Sequence, residues 1–77
     1  MTAQQAILEL LRRRGPGKSI CPSEAARLMA PADWRPQMPA VHAAAATLAG
    51  EGRLLVTQRG ETVAPAAARG PVRLRLP

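Results

Sequence analysis

The stretch GRLLVTQRGETVAPAAARGPVRLRLP, residues 52–77, decides the fold, because its hydrophobic period departs from everything before it. Leu54 to Gln58 is apolar and β-branched enough for a strand. Val72-Arg73-Leu74-Arg75-Leu76 alternates strictly, with apolar residues to one side and arginines to the other, the pattern of a half-buried strand. The two are predicted to pair as an antiparallel hairpin. Arg59-Gly60-Glu61 between them reads as a turn, and Pro65 through Gly70 as a short helical turn in a long loop.

Upstream the period is helical. Thr2 is a good N-cap, and Ala3, Ile7, Leu10, Leu11 and Arg14 then fall on one stripe with Leu8 at its edge. Gly15 supplies a left-handed stop and Pro16 follows it, the usual punctuation of a helix end. Arg12, Arg13 and Arg14 lie in the last turn, where the helix dipole favours cations. Ser19-Ile20-Cys21 is predicted to be briefly extended. Pro22 opens a second helix through Met29, with Ala25, Leu28 and Met29 facing inward, since proline suits the first helical turn. Asp33 can cap a short turn carrying Trp34. Pro36 and Pro39 bar a longer helix before that point. A third helix is predicted from Pro39 to about Glu51, burying Val41, Ala45, Leu48 and Ala49 and stopped by Gly52. The resulting order is helix, short strand, helix, helix, strand, loop, strand. It predicts an α+β chain, mostly α: a winged helix-turn-helix of three helices and a small antiparallel β-hairpin wing, forming a single domain over residues 1–77.

Composition bounds what such a chain can do. A domain of 77 residues buries only about 60% of the surface its unfolded chain exposes, so a partner or a dimer can matter to its stability. Trp34 is the sole aromatic residue, so the core must be aliphatic. The formal net charge is +6, a field that attracts nucleic acid or anionic membrane surfaces. A GC-rich genome produces the same excess of Arg, Ala, Pro and Gly, so the charge alone does not establish such a partner. Cys21 is the only cysteine; no internal disulfide is possible, and a reducing cytoplasm is the expected location. Met1 to Arg14 lacks the charge order of a signal peptide. No segment approaches the roughly 20 apolar residues of a membrane span.

Several runs also carry a resemblance. They are Cys21-Pro22-Ser23-Glu24-Ala25-Ala26-Arg27, then Asp33-Trp34-Arg35, Met38-Pro39, Val41 and Leu48. Thr57-Gln58-Arg59-Gly60 and Arg69-Gly70-Pro71-Val72-Arg73-Leu74 complete the set. Together they resemble a small bacterial family of uncharacterised proteins, a domain of unknown function with a winged-helix-like fold. The resemblance spans nearly the whole chain and implies the fold. It implies no activity. That winged helices often bind DNA is an analogy from fold.

No catalytic or metal site is legible, and neither enzymatic activity nor a cofactor is expected. Gly17-Lys18-Ser19 imitates the end of a phosphate-binding loop, but the glycine that motif needs five positions earlier is Arg12. His42 and Cys21 are the only His and Cys in the chain, too few for a metal site. Cys21 reads as a small buried residue, His42 as a half-buried polar residue beside the third helix's inner stripe, and Trp34 as a core anchor.

Two binding functions remain. In helix-turn-helix proteins the recognition helix presents polar side chains to base edges. Here the third helix turns Pro39, Ala43, Ala46 and Gly50 outward, with Ala40 and Thr47 nearby. Only Gln37, His42 and Thr47 can read bases, and none is central. Phosphate contact is better supplied. Arg35 precedes the helix, Arg53 follows it, and Arg59 sits at the wing turn. Arg73 and Arg75 leave one strand face about 6.6 Å apart. Such arginines hold a backbone without reading sequence. The expected partner is therefore double-stranded DNA, held at its phosphates. The alternative is a protein-interaction or dimerisation module that docks through the Ala-rich third helix.

Overall fold

Thr2 opens helix α1, which runs Ala3–Arg14 in the computed structural model, where residues 1–77 are described. The Thr2 hydroxyl accepts the Gln5 amide at 3.1 Å, and the Gln5 side chain accepts the Thr2 amide at 2.8 Å. This reciprocal pair satisfies two amides that the first turn leaves free. Ala3, Ala6, Ile7 and Leu11 are buried, while Leu8 and Leu10 are half-buried. Ala6 thus replaces Leu10 on the predicted stripe, because α1 packs against two helices at once and its innermost line must be narrow. Gly15 has φ +95° and ψ 171°. Its positive φ is as expected, but its ψ is extended, so the chain leaves the helix directly toward strand β1, Ser19–Ile20.

Helix α2 spans Pro22–Met29 with proline in its first turn. Glu24 accepts the Cys21 amide at 2.6 Å, capping the helix start. Pro22, Ala25 and Ala26 are buried, whereas Leu28 and Met29 are only half-buried. Alanines let α2 approach its neighbours closely, and the larger residues close the rim. Asp33 is exposed and caps nothing; a 3-10 turn over Arg35–Gln37 begins instead at Trp34 without a side-chain cap. Helix α3 then runs Met38–Gly50 and buries Val41, Ala44, Ala45 and Leu48. Ala49, expected inward, is half-buried, and Ala44 takes its place. At its end Arg53 donates its amide to the Leu48 carbonyl and Gly52 to that of Ala49. With φ +74° at Gly52, this is the paired closure that needs a left-handed glycine after the helix.

Strands β2 (Leu55–Gln58), β3 (Glu61–Thr62) and β4 (Arg73–Arg75) complete an antiparallel sheet in the order β1-β4-β2-β3. The predicted pairing of β2 with β4 is present, with Val56 opposite Leu74 and Thr57 opposite Arg73. Strand β3 was not expected. Glu61 belongs to it and pairs with Gln58, so the turn is only Arg59 and Gly60. Their φ values of +52° and +83° match the tight two-residue turn that suits twisted strands. A second 3-10 turn, Pro65–Ala67, lies between β3 and β4 and rests on α3. Three helices and this sheet make an α+β arrangement compatible with a winged helix. Fifteen buried apolar residues form one aliphatic core. No helix is long and apolar enough to cross a membrane.

Candidate functional site

Charge is distributed by pairing. Glu9 accepts from Arg12 at 2.6 Å and from Arg13 at 2.9 Å. Glu24 accepts from Arg14 at 2.6 Å, and the same guanidinium donates to the Ser19 carbonyl at 3.0 Å. These bonds, with the helix dipole, account for the triple arginine. The hydrogen bonds from Arg12 and Arg13 hold the Glu9 carboxyl below its ordinary range. Arg14 does the same for Glu24 against partial burial, helped by the Cys21 amide and the charge of Arg73.

The sheet arginines are less free than the alternating sequence implies. Arg73 donates to the Ser19 hydroxyl and to the Ser19 carbonyl, each at 3.0 Å. It therefore ties β4 to β1. Arg75 is half-buried and its Nε is closed off from solvent without a partner. Arg53 reaches Glu51 at 3.4 Å. Of the eleven lysines and arginines, only Arg12, Arg13, Arg14 and Arg53 form ion pairs.

The remaining cations include two arginine pairs. At the entrance to α3, the guanidinium groups of Arg27 and Arg35 each lie 4.6 Å from the centre of the Trp34 ring. Trp34 is half-buried, with part of its surface on the core. It is thus not the enclosed anchor expected, because two stacked arginines take the place of core side chains. At the wing, Arg59 and Arg69 line one recess with Gln58 and Glu61. The Gln58 side-chain amide donates to the Arg69 and Pro71 carbonyls, at 2.5 and 3.1 Å. This holds the Arg69 segment against the wing. Arg27 and Arg69 were missed in the sequence. Arg69 sits in a loop without period, and Arg27 meets Trp34 only through packing of α2 beside the turn.

Between these pairs in the chain, the outer face of α3 is nearly featureless. Pro39, Ala40, Ala43, Ala46, Thr47 and Gly50 are exposed, and Gln37 is half-buried at the helix start. His42 is exposed, not half-buried, and borders a cleft beside Pro65. The buried side of the helix is occupied by Val41, Ala44, Ala45 and Leu48, which leaves the imidazole outside it. Nowhere do three His, Cys, Asp or Glu side chains gather as metal ligands would.

No curated protein matches the chain. One family does, described as "Protein of unknown function (DUF3253)", and its match covers residues 1–77. The expected resemblance to an uncharacterised family is consistent with this match, and the chain belongs to the DUF3253 family.

Proposed function

We propose that the protein binds duplex DNA through the phosphate backbone, with little reading of sequence. The observation that carries this is the division of charge. Seven cations make no ion pair, and none lies on α3. Arg27 and Arg35 sit before that helix, Arg59 and Arg69 after it. Both guanidinium groups lie over the Trp34 ring without an ion-pair partner, so their N–H groups are available to phosphate oxygens, which arginine suits better than lysine. The bare face of α3 permits close approach and offers almost nothing to a base edge. Arg53, paired with Glu51, Arg73, bonded to Ser19, and the half-buried Arg75 add mainly to the field. The setting is a reducing one such as the bacterial cytoplasm, where Cys21 stays a thiol.

The test compares Arg59→Ala/Arg69→Ala with the unaltered protein on two duplexes of unrelated sequence. Affinity should fall equally on both, and the salt dependence should lose a slope of about 2, two phosphates at roughly 0.9 each. Unchanged affinity would contradict the proposal. A loss confined to one sequence would contradict its backbone character.

A second reading rests on the exposure of Ala43, Ala46 and Gly50 along one side of α3. Small residues let another helix approach, so the face can serve as a dimer seam. Ala43→Glu/Ala46→Glu separates the two. A dimer falls to monomer mass, whereas a duplex binder keeps its mass and loses affinity.

A further inference from the structure

Helix α3 and the segment between β3 and β4 do not close fully on each other. Between them lies a cleft of about 190 Å³. The helix contributes His42, Ala45 and Ala46, the sheet Val56 and Leu74, and the intervening segment Ala68. The void arises from residue size, since the helix and the segment both present alanines where larger side chains would fill the space. The cleft opens to solvent on the side of His42 and Ala46, which are exposed, and is floored by the buried side chains of Val56 and Leu74. Its side chains are almost all apolar, so water in the cleft finds few of the polar partners that would hold it in place. The imidazole of His42 is the one polar side chain on its wall.

We propose that this cleft binds a small flat ring compound, a substituted single ring with one hydrogen-bonding group that meets the His42 imidazole. Size selects the class. An engineered apolar cavity of about 150 Å³ holds benzene, and pockets for drug-sized ligands begin at about 300 Å³. The lining selects the chemistry: apolar walls with a single polar group at the edge orient a ligand that has one polar end. Strand β4 and the segment carrying Arg69 form part of the same walls, so an occupant braces the wing against α3. The inference uses none of the arginines, and although His42 and Ala46 also belong to the α3 face proposed to meet the duplex, ring binding is measured without DNA, so the two readings fail separately.

The test is titration of the full chain with phenol, benzoate and toluene, followed by amide chemical shifts. Phenol and benzoate should give saturable shifts centred on His42, Ala45, Ala46 and Ala68, and toluene a weaker response at the same residues. Ala68→Leu, which fills the cleft, should weaken binding by about tenfold or more, equivalent to a decade in Kd. Ala46→Leu provides the same test from the helix side should the first variant fail to fold. His42→Ala should remove the advantage of phenol over toluene. The proposal is overturned by an absence of saturable shifts in the unaltered protein, by shifts scattered over the surface, or by filled variants that bind equally well. Equal preference for phenol in His42→Ala would overturn the role of the imidazole.

Discussion

Arg59 stands at the apex of the wing with φ +52°, a conformation that costs a residue with a Cβ about 1 kcal/mol or more. Asn tolerates it better and is favoured before glycine in this turn. Arg59→Asn is therefore expected to raise stability by up to about 1 kcal/mol in urea unfolding while weakening duplex binding. Opposite changes of this kind separate the charge of Arg59 from its place in the fold. Glu24 makes a different prediction. Its carboxyl is held low chiefly by Arg14. A depressed folded value contributes stability above the ordinary carboxylate range, and that stability is lost as pH falls through the folded value. Glu24→Ala should cost about 1 kcal/mol near neutrality, the usual worth of a helix-start cap. Its stability should then decline less than the unaltered protein's on acidification, as read by unfolding midpoints across pH. The reading of Trp34 as a core anchor was right only in part, since the ring packs on the core but stays half-buried. Its two stacked arginines were not legible, because Arg27 and Arg35 approach the ring from different elements.

Among the elements, the ends of α1 and α3 were readable because they are written in single residues, Thr2 and Gly52. Strand β4 was readable from its alternation. It lies between β1 and β2, and Leu74 is fully buried among the core residues. Leu74→Ala should therefore cost about 2–5 kcal/mol, as buried leucines do, and lower the melting temperature while leaving helix content to fall with the same transition. Strand β3 escaped notice for a physical reason. Two exposed residues, Glu61 and Thr62, carry no alternation, and only the tight Arg59-Gly60 turn brings them against β2. The inner line of α1 shifted onto Ala6 for a related reason, since the width of a buried face depends on how many neighbours it meets. The candidate site was legible in part. Arg35 and Arg59 stand exposed as the sequence implied, whereas Arg73 is spent on Ser19 and Arg53 leans on Glu51. Alternation says which side a residue faces, not what it bonds there.

At the scale of the whole molecule, an aliphatic core built on many alanines carries a surface with far more arginine than acid. Three of the five acidic residues, Glu9, Glu24 and Glu51, are used in ion pairs. Of the seven cations without an ion pair, Arg27, Arg35, Arg59 and Arg69 flank α3 in the chain and none lies on it, the division on which the proposed backbone binding rests. Binding to a duplex of arbitrary sequence, measured from low to high salt, tests that account most directly. It predicts affinity that falls with salt at a logarithmic slope near −4, from Arg27, Arg35, Arg59 and Arg69 at roughly −0.9 each, and that differs little between sequences. No binding at low salt, or a slope near zero, would contradict it.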